Sequence, residues 1–102
     1  MVGCEGSVTK SVPLYSTDHR HAVRIYDYDA GAVGGDTGVY LYSHLGLWSE
    51  DIFEGNWKAA KDVRWINNHE LLIKFEPSYG PPVCKDGSEV KVRCEPAVIV
   101  PK

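Results

Sequence analysis

Alternating apolar and polar positions predict a β-hairpin in the first half of the chain, since successive side chains of a strand point to opposite faces. Its strands are residues 22–28 and 38–43, and the glycine-rich segment 29–36 between them is too long for a two-residue turn. Pairing register normally keeps aliphatic residues on one face of a sheet. We expect that face to carry Val23, Ile25, Val39 and Leu41. The opposite face, the tyrosine face, then carries Tyr26, Tyr28, Tyr40 and Tyr42.

A second hairpin is predicted over residues 62–76, where two apolar strands flank an asparagine pair at 67–68. Asparagine tolerates the left-handed backbone conformation that tight turns need. A two-residue loop would pair Trp65 with Glu70 and bring a charge among the core residues. A three-residue loop over 67–69 removes that conflict, and the apolar pattern favours it. It aligns the apolar residues of the two strands, Val63, Trp65, Leu71, Ile73 and Phe75.

Segment 44–61 has the least regular pattern in the chain. The run Ser-Glu-Asp at 49–51 is typical of a helix start, because a capping hydroxyl and first-turn acids suit the N-terminal dipole. The Gly-Asn pair at 55–56 would end that helix after about one and a half turns. An irregular loop anchored by its aromatic residues is the alternative. Either form would bring Trp48 and Trp57 over one face of the sheet.

Shorter elements complete the predicted sheet. A polar turn is expected at 16–21, where Asp18 caps its own backbone. Pro13, which cannot donate to a strand ladder, ends the first edge strand. The other predicted segments are that edge strand at 7–12, a strand pair at 83–85 and 89–94 that turns at 86–87, and a last edge strand at 97–100.

The pattern therefore predicts a mainly β fold: an antiparallel sheet, or a small sandwich or open barrel of hairpins, with at most one short helix. At 102 residues the chain has room for one domain, residues 1–102, with one modest core. Its net charge is −3, and its 11 basic residues are scattered among 14 acidic ones. Nucleic-acid binders usually concentrate positive charge on one stripe, so nucleic acid is not expected as a partner. No apolar run approaches the roughly 18 residues of a transmembrane helix.

The three cysteines, Cys4, Cys84 and Cys94, allow at most one intramolecular disulfide. A tight turn at 86–87 would place Cys84 opposite Glu89 and not opposite Cys94. This register favours reduced thiols, and a longer loop with a Cys84–Cys94 bond is the alternative.

The opening Met-Val-Gly-Cys leaves two predictions for location. Small residues directly before a cysteine are typical of a bacterial lipoprotein cleavage site, so a chain trimmed near Cys4 would belong to the cell envelope. If the chain is full length, it carries no signal peptide and would be cytoplasmic.

Three aspartates near the first connection are the sharpest candidates for chemistry. Asp27 and Asp29 lie in a D-x-D-x-G run, and Asp36 follows nearby. Oxygen ligands in a glycine-rich turn can surround a hard cation such as calcium, but the further ligands of a known calcium loop are missing. Aspartate and glycine are also common in ordinary turns. A metal-dependent or hydrolase-like activity centred on these aspartates is therefore the alternative function.

The tyrosine face supplies the main functional prediction. Tyrosine offers a large, stiff, amphipathic contact area and is enriched at interfaces. With Trp48 or Trp57 nearby, this face could hold a partner protein, stack on a sugar ring or pair two copies of the chain. The competing interpretation is a second core layer, covered by segment 44–61 and the C-terminal strands.

No motif for nucleophilic, zinc-dependent or phosphate-binding catalysis is present in the sequence. The sequence thus favours a small non-enzymatic binding or interaction protein that uses the tyrosine face or the loop at 29–38. No cofactor is predicted for that function.

The segment 16–75 carries a recognisable pattern: S-x-D, then D-A-G-A, V-Y-L, G-N and W-x-x-N-x-x-L-x-I. The matching residues are Ser16, Asp18, 29–32, 39–41, Gly55, Asn56, Trp65, Asn68, Leu71 and Ile73. The pattern resembles a group of small uncharacterised bacterial proteins, many of them predicted lipoproteins. Thr17, His19 and His21 depart from it, since that group has proline, glycine and tyrosine there. The resemblance implies a β-rich fold and an envelope location, and it implies no activity.

The strand–Trp–turn–Leu–strand part of this pattern also resembles one blade of a β-propeller. A lone blade leaves its edges unpaired, so this second resemblance implies a local hairpin and not a propeller.

Overall fold

The computed structural model describes residues 7–29, 34–43, 46–77 and 81–97, and over these ranges the chain consists of strands and connections without an α-helix. The strands are β1 Ser7–Lys10, β2 Leu14–Tyr15, β3 His21–Asp29, β4 Gly35–Ser43, β5 Trp48–Asn56, β6 Ala60–Asn67, β7 Glu70–Phe75, β8 Val83–Cys84 and β9 Lys91–Pro96. The first sheet orders its strands β1-β3-β4-β5-β8, with β2 also on β3, and the second orders them β6-β7-β9. The predicted mainly β fold is confirmed.

Buried apolar residues of both sheets form one core, so the sheets pack against each other. The first sheet contributes Val23, Val39, Leu41, Ile52 and Phe53, and the second contributes Val63, Leu71, Ile73 and Val92. A hydrogen bond also joins the sheets, because the indole N–H of Trp65 donates to the carbonyl oxygen of Leu14 at 2.9 Å. One face of the first sheet is thus occupied by the core.

The first hairpin has the predicted register. Val23 pairs with Leu41 and Ile25 with Val39, so the aliphatic residues share the core face and the tyrosines share the other. Pairing continues to Asp29 and Gly35, which makes both strands longer than predicted. The connection is therefore 30–34, of which the described part is Gly34, and it is not a two-residue turn.

Segment 48–56 corrects the prediction of a short helix or an anchored loop, since it is strand β5 and pairs with β4. The pairing shifts between Val39 and Tyr40, which leaves Ile52 without a partner on β4. Ile52 and Phe53 are both buried although they are adjacent. A β-bulge sets two successive residues opposite one, so this strand lacks the alternation by which strands are recognised.

The second hairpin has the predicted apolar alignment but a different turn. The predicted pairs Trp65–Leu71 and Val63–Ile73 both form. Asn67 pairs with Glu70, so the turn has two residues, and the register shifts between Trp65 and Asn67. This irregularity keeps Glu70 away from Trp65, which is why a three-residue loop is not needed.

The C-terminal residues do not form the predicted hairpin. Strand β8 pairs with β5 in the first sheet, whereas β9 runs parallel to β7 in the second. Segment 85–90 crosses between the sheets and is held by several hydrogen bonds, including the following two. The N–H of Gly87 donates to the carbonyl of Val90, and the N–H of Val92 donates to the Asp86 carboxylate at 2.8 Å.

Cys84 and Cys94 form a disulfide, with their Cα atoms 6.6 Å apart. The prediction of reduced thiols is therefore wrong for this pair. It assumed a tight turn between the two cysteines, but the intervening segment passes from one sheet to the other, so the bond links the sheets.

The remaining short elements mostly agree with prediction. Strand β1 lies at the edge of the first sheet. The Asp18 carboxylate accepts a hydrogen bond from the N–H of Arg20 at 3.1 Å, which is the predicted capping of its turn. The last predicted strand lies outside the described residues except for Ala97. No described helix is long and apolar enough to cross a membrane.

Candidate functional site

The tyrosine face lines an open concavity of about 660 Å³ on the side of the first sheet away from the core. All four of its tyrosines contribute to the lining. Tyr28 is 41% exposed and the other three are half-buried. The competing second core layer is not formed by the described residues, because 48–56 extends the sheet as β5 instead of covering it.

Contacts among the tyrosines fix the shape of the wall. The rings of Tyr26 and Tyr40 meet edge to face, with centroids 5.2 Å apart and planes at 77°. The hydroxyls of Tyr26 and Tyr42 share a hydrogen bond of 2.6 Å. Burial, followed by this hydrogen bond, raises the pKa of Tyr42 to about 12, since both favour the neutral phenol. At neutral pH the Tyr42 hydroxyl therefore stays protonated, as its hydrogen bond with Tyr26 allows.

A glycine opens the floor of the concavity. Gly38 pairs with Tyr26 on β3 and with Glu54 on β5, so it lies between them on the tyrosine face. A Cβ atom at this position would lie 3.2 Å from the ring of Tyr40. The missing side chain thus leaves the space that a larger residue would fill.

Carboxylates form the β4–β5 side of the wall. Asp36 and Glu54 line the concavity. Asp51 pairs with Tyr40 across the strands and therefore lies on the same face. A hydrogen bond with Asp51, reinforced by its negative charge, raises the pKa of Glu54. The Oδ1 atom of Asp51 is buried without a hydrogen-bond partner. Burial, with the charges of Asp51 and Glu54, also raises the pKa of Tyr40. We call this space the acidic concavity.

A second concavity of about 410 Å³ adjoins the first and has the opposite charge. Its lining includes Arg20 and Arg24, and it shares Tyr26 and Tyr42 with the acidic concavity. The hydrogen-bonded pair Tyr26–Tyr42 is therefore a ridge between the acidic concavity and this basic concavity.

The two predicted tryptophans do not join the tyrosines in either concavity. Trp48 pairs with Ser43, whose side chain faces the core, so Trp48 lies on the core side of the sheet and is 55% exposed there. Trp57 follows β5 in a turn, and the Nζ atom of Lys58 lies 5.2 Å from its ring centroid.

The three predicted aspartates do not converge. Asp36 pairs with Tyr28 and lies on the tyrosine face, whereas Asp27 and Asp29 alternate with the tyrosines and lie on the opposite face. The Asp27 carboxylate accepts a hydrogen bond from the hydroxyl of Thr37 at 2.6 Å. Over the described ranges, no three His, Cys, Asp or Glu side chains are placed to hold a metal ion.

A buried histidine and serine lie elsewhere on the same hairpin. The Nδ1 atom of His21 and the Oγ atom of Ser43 are 2.8 Å apart, and the two residues are 4% and 5% exposed. The Nε2 atom of His21 lies 3.8 Å from the Glu89 carboxylate. A catalytic serine must reach its substrate, and Ser43 is enclosed in the core. The pair therefore satisfies buried polar atoms and offers no nucleophile.

No family model, curated protein or solved structure matches this chain. The resemblance to small bacterial proteins of unknown function therefore stays a prediction, and function is inferred from the residues of the site.

The sequence pattern does not indicate the carboxylates Asp51 and Glu54 as site residues. It predicts Asp51 in a helix start and gives Glu54 no role. Both lie on one face of β5 although three positions separate them, because the bulge at Ile52 adds a residue between them. A strict alternation pattern cannot find such a pair.

Proposed function

We propose that this protein is a small non-enzymatic binding protein whose ligand occupies the tyrosine face. The observation that carries this proposal is the open concavity, which four tyrosines line on a sheet face that no described element covers. Aromatic concavities left open on small proteins usually mark binding sites.

The size and rigidity of the concavity support a ligand site. Its volume of about 660 Å³ lies within the range of roughly 300–1,000 Å³ typical of ligand pockets. The contacts of Tyr26 with Tyr40 and Tyr42 already hold the rings in place. A wall that is ordered before binding loses less conformational entropy when the ligand arrives.

The other predicted modes have less support. In the 29–38 loop, Asp29 and residues 35–38 belong to β3 and β4, so the sheet face is the better candidate. If two copies paired through this face, the two concavities would face each other and neither would be filled. The metal-dependent or hydrolase-like alternative lacks a convergent site, since the sheet lies between Asp36 and the pair Asp27 and Asp29.

A fragment screen by two-dimensional amide NMR tests the proposal, with cationic, anionic and neutral compounds in one library. We expect the binding fragments to shift the amides of Gly38, Tyr40 and Glu54, which surround the acidic concavity. Gly38→Val should remove these shifts, because the added side chain occupies the space beside Tyr40.

The matched control is Ile66→Ser, which changes a 47% exposed apolar residue of the second sheet. It should leave the fragment shifts in place. Fragments that bind only elsewhere, or that bind Gly38→Val as well as the original protein, would rule out the tyrosine face as the ligand site.

A further inference from the structure

We propose that the acidic concavity binds the ammonium group of a small organic cation, a primary or methylated amine. This inference rests on the proposed function and names its class of ligand. Two features of one wall carry it: carboxylates that lack a cationic partner, and tyrosine rings that a cation can contact.

Carboxyl groups gather on the β4–β5 side without a basic side chain of the described ranges in a salt bridge with them. Asp36, Asp51 and Glu54 form no salt bridge with any residue in the described part of the chain. Lys85 acts on Glu54 only as a nearby charge. Like charges held together repel each other, so a cation beside them lowers the electrostatic energy, whereas an anion raises it.

The tyrosine rings favour an organic cation. Tyr26 and Tyr40 stand at 77° to each other with centroids 5.2 Å apart, so they form two sides of a corner. An ammonium group within about 6 Å of a ring centroid is attracted to the face of the ring. Carboxylates and aromatic faces around one space therefore suit a cation whose surface is partly apolar.

Other occupants fit less well. A bare metal ion needs several convergent oxygen ligands, and the described residues hold no such group. The concavity volume of about 660 Å³ suits a small molecule. Across the Tyr26–Tyr42 ridge, Arg20 and Arg24 line the basic concavity. A cation is therefore favoured on the β4–β5 side and disfavoured on the other.

Choline and its neutral carbon analogue 3,3-dimethylbutanol provide the test, because they share a shape and differ in charge. Each is titrated into the protein at pH 7 and followed by amide NMR, with ethanolamine as the primary amine. We expect choline or ethanolamine to shift the amides of Gly38, Tyr40 and Glu54 with saturation. The neutral analogue should bind at least about tenfold more weakly, since it loses the cation–π and charge terms.

Glu54→Gln keeps the shape of the side chain and removes its charge. This substitution should weaken the binding of the cation by about tenfold and leave the affinity for the neutral analogue unchanged. The matched control is Glu95→Gln, which removes a carboxylate from β9 in the second sheet and should change neither affinity.

The outcomes separate this inference from the proposed function. Equal binding of choline and 3,3-dimethylbutanol, or insensitivity to Glu54→Gln, overturns the cation inference while the face remains a ligand site. Shifts by a lysine-containing peptide but by no free amine overturn the small-molecule class. No shift by any amine overturns the inference outright, and the fragment screen then decides the proposed function independently.

Discussion

Single residues of the first hairpin show how polar groups are accommodated next to the core. Ser43 is buried opposite His21, and the two side chains satisfy each other at 2.8 Å. A buried polar atom that loses its partner costs more than the hydrogen bond itself contributed, because its desolvation is no longer compensated. The pair therefore allows a histidine to be buried beside the apolar core.

Ser43→Ala should lower the free energy of unfolding by about 1–3 kcal/mol, since it leaves the His21 ring nitrogen without this partner. Urea denaturation followed by circular dichroism measures the loss. Ser49→Ala, at an exposed serine on the neighbouring strand, should stay within about 0.5 kcal/mol of the original protein. If Ser43→Ala costs as much in a His21→Phe background as alone, the two side chains are not coupled.

Tyr42 should give an alkaline signature of the tyrosine ridge. Its pKa is raised to about 12 in the folded protein, above the value near 10 of an unfolded tyrosine. The folded state thus holds the phenolic proton more tightly. This contribution to stability is complete below pH 10 and is lost as the pH rises from about 10 to 12.

Tyrosinate absorbance at 295 nm measures the ionisation, and circular dichroism shows whether the fold persists. Tyr42→Phe should remove one ionisation near pH 12. The matched control Tyr15→Phe, at a 56% exposed tyrosine on β2, should leave that late step in place. If every tyrosine ionises together near pH 10 while the fold stays native, the hydrogen-bonded Tyr26–Tyr42 ridge is contradicted.

At the scale of elements, the sequence pattern predicts the register of strands that are adjacent in the chain. The β3–β4 register followed from alternation, because Val23 and Leu41 must share the core face. The apolar alignment of β6 and β7 followed for the same reason, although their turn did not. Strand β5 is not predicted, because the bulge at Ile52 breaks the alternation of the strand. Its acidic residues also suit a helix start equally well.

The candidate site divides in the same way. Its tyrosines lie on two regular strands, so the alternation of the sequence predicts that they share one face. Its carboxylates lie on the bulged strand β5, and their approach to the tyrosines depends on pairing between β4 and β5 that no local pattern encodes. The sequence predicts Asp36 in a metal site with Asp27, but alternation along the paired strands puts the two residues on opposite faces.

At the scale of the whole molecule, the long-range connections were the least predictable. The parallel pairing of β9 with β7 joins segments that are distant in sequence, and an Asp-Gly pair at 86–87 suggested a hairpin instead. In the structure this pair belongs to the segment that crosses between the sheets. Disulfides persist mainly in oxidising compartments, so the Cys84–Cys94 bond needs such conditions to form, and the location of the protein stays a prediction.

The disulfide links the two sheets and should contribute much to the stability of the folded protein. Cys84 and Cys94 are separated by 10 positions. Closing a loop of that length reduces the entropy of the unfolded chain and so raises its free energy by about 3 kcal/mol at 25 °C. Replacing both cysteines by serine should therefore lower Tm by roughly 10–20 °C, as measured by circular dichroism. Dithiothreitol should shift the original protein to the same Tm and leave the double variant unchanged. A Tm that responds neither to the reductant nor to the substitutions would mean that packing between the sheets, and not this bond, holds them together.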